Sequence, residues 1–386
     1  MAGSTEEQVM AAAPLPSPAP TSACDLTGGR GLLQRGVGEA ERTLYSLSRA
    51  YQQGLDGVDY EVIAVENGSS PDQKLDEAFV RSFGPEFRYL DLGDEARPSP
   101  VHALNTGIGV GRGRNFALMI DGAHVLTPRV LHYGLAGLRT YEPAIVSTQQ
   151  WYVGPGQQGE ATREGYDQEA EDRLFETVGW PTDGYRLFDI GHFIGERDWL
   201  DGMWESNCLF APRKLLRQIG SFDESFAMPG GGFANLDLYE RLGSSPDITF
   251  TTILGEGSFH QVHGGTTTNE TDIDDRHDLL ASYRARHYEE IRGRPFSGHR
   301  KTIHYVGQMT DEARRTRSRG AAWPPTSSRR CAPTDPTGVP NNPSHFPRTC
   351  APSSSTPTGG AGPGRTRAGL VTRYPSRRPT CSRTRS

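Results

Sequence analysis

Residues 60–70 read YEVIAVENGSS. Val62 to Val65 is a short unbroken apolar run, the pattern of a strand buried on both faces. Glu66-Asn67-Gly68 is turn chemistry at its carboxyl end. Upstream, from Glu39, Leu44, Leu47 and Tyr51 recur at helical spacing and Gly54 offers a stop. Downstream, Ser70-Pro71-Asp72-Gln73 has a cap residue, Pro at the first helical position and Gln three after the cap. That predicts a helix running to about Phe83, with Gly84 as its stop.

The alternation continues. FRYLDL reads as a strand, Ser99-Pro100 opens a helix, FALMI (116–120) is a strand, and AIVSTQQWYV (144–153) is another. Further helices are expected over 167–178 and 279–292. Strand and helix alternating at this spacing predict βαβ units and a mostly parallel sheet with flanking helices, an α/β fold. Ligands bind such sheets outside the carboxyl ends of the strands. Glu66 and Asp121 both fall at such ends.

Composition divides the 386 residues into regimes. Residues 321–386 hold 12 of the 28 Pro, 3 of the 5 Cys, 10 Arg and one acidic residue, Asp335. The remaining chain carries 31 basic and 46 acidic residues, a net of −15 against +9 for the tail. An acidic body argues against nucleic acid as a partner. Cys24 and Cys208 show neither a disulfide framework nor zinc spacing, which favours a reducing compartment. The N-terminus has no signal-peptide pattern and no apolar run reaches 18 residues, so a cytoplasmic protein, able to work beside a membrane but without a transmembrane segment, is expected. Residues 1–38 are rich in Ala, Pro, Gly and Ser, too much so for a central strand. We therefore expect a domain over 39–310 that lacks a normal first strand. The stretches 1–38 and 311–386 read as disordered extensions, or as translation out of frame.

Four motifs carry chemistry. In RNFALMIDGAHVLTP (114–128), Asp121-Gly122-Ala123-His124 reads as an ordinary turn, or as an acid and an imidazole holding Mn²⁺ or Mg²⁺. GSFHQVHGG places His260 and His263 after the strand-like TFTTIL. The glycines of TGIGVGRGRN suggest a dinucleotide fingerprint, but they precede a strand instead of following one, which excludes it. Arg112 or Arg114 there could still face phosphate. MPGGGFANLDLYERL has three consecutive glycines, able to approach a ligand closely, then Asp237 and Arg241 at i,i+4 spacing.

The order of these pieces is a strand ending in VENGSS, a helix holding LN-G, a strand ending in MIDGAH, then G-FDE-F, a glycine loop, N-D-Y-R and a late His. It resembles family 2 glycosyltransferases and relatives with the GT-A fold, over residues 40–265. The resemblance implies sugar transfer from a nucleotide-diphosphate sugar to a saccharide, lipid-linked or small-molecule acceptor, assisted by Mn²⁺ or Mg²⁺. It implies nucleotide contacts at Glu66, Asn67, Asn105 and Asp121, and metal ligands among Asp121, His124, His260 and His263. Ala123 stands where the second Asp of the family's DxD motif belongs, and His124 could replace it. Catalytic carboxylates are expected at Asp237, then Asp223 or Glu224, while Asn235 stands where a base Asp is usual. Acceptor contacts are expected at Gly230, Gly231, Gly232 and Trp204, and along 154–200 with Trp151, Tyr152, Trp180 and Trp199. The GG-x-x-N-L-D pattern is also similar to the GGENLE segment of retaining polypeptide N-acetylgalactosaminyltransferases, so stereochemistry stays open. Rival readings are a degraded relative that binds a nucleotide or saccharide without turnover, a nucleotidyltransferase, and a scaffold.

Overall fold

The computed structural model describes residues 25–32, 37–71, 73–120, 122–194, 199–200, 202–263 and 274–319. The expectations for residues 1–24 and 320–386 lie outside them, as does Asp121. Ten strands are described: β1 (Leu26–Leu32), β2 (Tyr60–Glu66), β3 (Phe87–Asp91), β4 (Asn115–Met119), β5 (His124–Leu126), β6 (Ala144–Val153), β7 (Gly191–Phe193), β8 (Cys208–Pro212), β9 (Thr249–His260) and β10 (Ile303–Gly307). The helices are α1 (Val37–Leu47), α2 (Glu77–Arg81), α3 (Val101–Val110), α4 (Val130–Thr140), α5 (Gln158–Arg163), α6 (Gln168–Val178), α7 (Leu187–Ile190), α8 (Arg213–Ile219), α9 (Ala234–Gly243), α10 (Asp274–Arg292) and α11 (Asp311–Arg319).

The sheet runs β10-β9-β6-β8-β4-β1-β2-β3, with β5 on β9 and β7 on β6. The pairs from β4 through β1 and β2 to β3 are parallel, as are β6 with β9 and β9 with β10. β8 alone on the main path runs antiparallel, between β4 and β6. The α/β architecture with a mostly parallel sheet and flanking helices is therefore the one the sequence predicts.

The expected absence of a first strand is wrong. LTGGRGL forms β1, registered to β2 from Leu26↔Tyr60 to Leu32↔Glu66 and to β4 from Leu26↔Asn115. The prolines that argued against a strand, Pro14 to Pro20, all precede it. A parallel ladder is made by backbone groups, which glycine supplies as well as any residue. The folded body also reaches beyond residue 310. In α11, Ala313 is buried and the Thr316 hydroxyl donates to Phe188 O at 2.9 Å.

Alternation along the strands sorts two cores. Ala117 and Met119 face a layer with Leu44 and Leu47 of α1 and Leu131 and Leu135 of α4. Phe116 and Leu118 face the opposite layer, with Leu104 of α3, Leu216 of α8 and Leu238 of α9. β2 is buried at every position, as its apolar run requires. The helix expected from Ser70 is shorter than predicted. Asp76 caps α2 instead, accepting from Phe79 N at 2.7 Å, and the Ser70 segment turns without starting a helix.

Candidate functional site

Glu66 closes β2 beside the carboxyl ends of β1 and β3, through the register Leu32↔Glu66↔Asp91. Its side chain is fully buried. Oε1 accepts the Ser69 N–H at 2.7 Å, while Oε2 has no hydrogen-bond partner. A buried polar atom left unmatched costs about 1–3 kcal/mol. Asn67 is committed elsewhere. Its amide donates to Arg97 O at 2.8 Å and accepts from Arg97 N at 3.0 Å, pinning the loop before α3. Asn105 likewise clasps the Phe222 backbone, at 3.0 and 3.2 Å.

β5 pairs with β9 so that His124 stands opposite His260, their ring centroids 4.8 Å apart. His124 Nδ1 lies 3.1 Å from the Ser258 hydroxyl. His260 and His263 bring their Nε2 atoms within 3.0 Å. One ring can donate its Nε2–H to the other at that separation, or, with both Nε2 atoms unprotonated, the two lone pairs could meet one cation. This donor set suits a borderline divalent ion. Among the described residues no group of three or more His, Cys, Asp or Glu has the geometry of a metal site.

The histidine segment is held from two sides. From α1, Arg42 donates to Gln261 Oε1 at 3.1 Å, and the Gln261 amide donates to Glu39 O at 3.1 Å. Thr43 of the same helix donates to Gly122 O at 3.0 Å, so α1 reaches the start of β5 as well. From α6, Glu171 Oε2 accepts the Val262 N–H at 2.7 Å.

The expected carboxylates part company. Asp237 is buried in α9. Its Oδ2 accepts from Arg241 Nε at 2.7 Å and Arg292 Nη2 at 2.8 Å, and its Oδ1 from Arg292 Nε. Both oxygens are thus held by guanidinium groups. Asp223 meets Arg292 at 2.8 Å; burial raises its carboxyl, but hydrogen bonds from Ser225 and Arg292 outweigh that and hold it below the usual range. Glu224 is exposed, 3.4 Å from His102 and 3.6 Å from Arg97.

The glycine loop takes a path that needs glycine. Gly230, Gly231 and Gly232 have φ of 71°, 77° and 56°, and a side chain at Gly231 would sit 3.3 Å from Pro100. Trp204 is a packing residue. It edges Phe296 and His299, and Gly298 lies so close that an added Cβ would overlap the indole. Trp151 and Trp199 are buried in one aromatic core with Phe188 and Phe259, and Trp180 packs on Tyr45 and Tyr51. The expectation that these tryptophans face an acceptor is therefore corrected: they fill space under the 154–200 segment. Arg112 and Arg114 lie at the opposite end of the strands, where they pair with Glu61 and Asp25.

One carboxylate escaped the sequence reading. Glu205 stands three residues before β8, whose Cys208 pairs with Met119 at the end of β4. Its Oε2 accepts from Asn235 Nδ2 at 2.9 Å. The WESN stretch gave no signal for it, because nothing local marks a lone Glu beside a tryptophan.

No protein-family profile and no curated protein matches this chain. Solved structures similar to it include GalNAc-T7 with UDP, GalNAc and Mn²⁺, at 10% identity and a TM-score of 0.44, over 69% of this chain and 48% of that one. S. aureus TarS 1-349 in complex with UDP is 14% identical, with a TM-score of 0.39, over 69% of this chain and 72% of that one. A longer TarS structure is also 14% identical, with a TM-score of 0.40, over 72% and 44% respectively. The chain spans about half the length of the first of these.

Proposed function

We propose that this chain is a GT-A-type glycosyltransferase that moves a sugar from a nucleotide-diphosphate sugar to an acceptor hydroxyl. One observation carries the reading. Glu66, with an unmatched buried oxygen, closes β2, and His260, opposite His124 and beside His263, closes β9, so each stands at the carboxyl end of a strand of one sheet, where α/β sheets bind ligands. Glu66 would receive a hydroxyl or N–H of the nucleoside. Asp121, His260 and His263, with His124 behind, would hold Mn²⁺ or Mg²⁺, which supplies charge neutralisation for a leaving diphosphate. The Gly230–Gly232 loop, whose positive φ angles need glycine, would contact the sugar through its backbone. We place the acceptor among saccharides, lipid-linked carriers and small hydroxylated molecules.

A second reading, a binder without turnover, has a specific point in its favour. Asp237, the carboxylate best placed by sequence, has both oxygens occupied by arginines. Thermal stability with UDP, GDP and dTDP, each with and without Mn²⁺, tests the shared premise. A nucleotide at 100 times its Kd adds about 2.7 kcal/mol. A metal-dependent shift for one nucleotide, lost in Asp121→Ala, is the expected result. A cooperative melt that no nucleotide moves would end both readings.

A further inference from the structure

The transfer proposed above leaves the proton of the acceptor hydroxyl without a receiver. Asp237 is tied to two arginines, Asp223 to one, and Glu224 faces Arg97 and His102 on the outer surface. A general base needs an oxygen that is not already spoken for, and it needs to be at the reacting end of the sheet.

Glu205 meets both conditions. The antiparallel register Met119↔Cys208 carries the chain before β8 past the end of β4, toward the turn that follows it. The Asn235 bond holds Oε2 at 2.9 Å. Among the described residues nothing donates to Oε1. Two further polar atoms beside it are also unmatched. Asn235, nine-tenths buried, has no partner for Oδ1, and Arg284 has none for Nε. Arg284 borders the glycine loop: its Cγ would stand 3.9 Å from a Cβ at Gly232. A carboxylate oxygen, an amide oxygen and a guanidinium N–H left open together complement neighbouring hydroxyls, each both donor and acceptor.

Resting on the sugar-transfer reading, we propose that Glu205 is the general base. Its Oε1 takes the proton as the acceptor oxygen bonds to the anomeric carbon. The bond from that carbon to the diphosphate breaks, and its electron pair leaves with the nucleoside diphosphate. Asn235 is the positioning residue that fixes Oε2 and turns Oε1 outward, which gives the Asn at this place a role that an Asp would otherwise hold. Among the described residues Arg284 supplies positive charge near the carboxylate, and it would balance the negative charge before transfer. Burial raises the Glu205 carboxyl above its ordinary range, against the Asn235 bond and the Arg284 charge, a direction that suits a group that must accept a proton.

The test uses the full chain, wild type beside Glu205→Gln and Asn235→Asp. UDP affinity is measured by calorimetry. UDP release from UDP-N-acetylglucosamine, with water as acceptor, is followed as a function of pH. Glu205→Gln should bind UDP within about threefold of wild type, release it roughly 10²–10⁴-fold more slowly, and lose the acid limb of the pH profile. Asn235→Asp sets a second carboxylate against the first and should move that limb to higher pH. The Asn235→Asp profile gives its readout even if Glu205→Gln misfolds, and an unmoved limb overturns the assignment. Release by Glu205→Gln at the wild-type rate, with the acid limb intact, overturns the assignment and leaves the transferase standing. A wild type that binds UDP but releases none from the sugar overturns it too. A wild type that binds none of UDP, GDP and dTDP takes the sugar-transfer reading down first.

Discussion

Glu171 of α6 accepts the backbone N–H of Val262 at 2.7 Å, so a buried carboxyl fixes the residue between two of the candidate metal-binding histidines. Burial pushes that carboxyl up to about 8, against the Val262 bond and the Arg42 charge. Between its ordinary value of 4.5 and about 8, the folded chain holds a proton that the unfolded chain has released. Stability therefore falls as pH rises through that window, with a slope of about 1.4 kcal/mol per pH unit. Glu171→Gln keeps an acceptor for Val262 and abolishes the titration. Melting curves should show the wild type losing stability from about pH 5 to about pH 8, and the variant losing less. Parallel curves would show that Glu171 is not the cause.

The proposed nucleotide role of Glu66 would set function against stability. Its Oε2 has no partner inside the fold, a cost of about 1–3 kcal/mol if no ligand supplies a donor. Glu66→Gln removes the charge while leaving an acceptor for Ser69 N. The apo melting temperature should hold or rise, and the nucleotide-induced shift should shrink sharply. A variant that melts lower than wild type yet keeps the full shift would make Glu66 a structural residue of the 66–69 turn.

Sequence carried the architecture where the signal was local and periodic. Val62 to Val65, FALMI and AIVSTQQWYV gave β2, β4 and β6 because a strand buried on both faces must be an apolar run. β1 was hidden because glycines carry no side-chain pattern, and its place is fixed by backbone pairing to strands distant in sequence. The site divides in the same way. Glu66 and the histidines stand at strand ends that periodicity can locate. Arg241 pairs with Asp237 at the i,i+4 spacing the sequence shows, whereas Arg292 reaches it from α10 across fifty-five residues and Glu205 meets Asn235 across thirty. Pairings of that kind belong to the tertiary fold and leave no mark in a local window.

Asp237 anchors an ion cluster, and its loss should register as instability before it registers in catalysis. Asp237→Asn leaves Arg241 and Arg292 facing each other, with Asp223 as the remaining nearby carboxylate. Removing one partner from a buried ion pair costs about 3–5 kcal/mol. A chemical-denaturation midpoint well below wild type is the expected outcome. If instead the variant unfolds with wild type and only turnover fails, Asp237 regains the catalytic role that its sequence position suggested.

The first strand makes the most direct test of the fold. Leu26 is fully buried in the layer with α1 and α4, although it lies in a stretch whose composition argues against any structure. Leu26→Ala should cost about 2–5 kcal/mol, the range for a large-to-small change in a packed core. Gly113→Ala probes the same strand from its neighbour. An added Cβ would press into Thr27 N and stand 2.6 Å from Asn115 O. Both are backbone atoms that cannot swing aside, so β1 and β4 would have to part at their amino ends. The Thr27 hydroxyl, which accepts from Gly113 N at 2.7 Å and donates to Glu61 at 2.8 Å, would lose its geometry as well. Both variants should lower the denaturation midpoint. If neither does, residues 26–32 contribute nothing to the folded sheet, and β2 and β4 flank a gap instead of a strand.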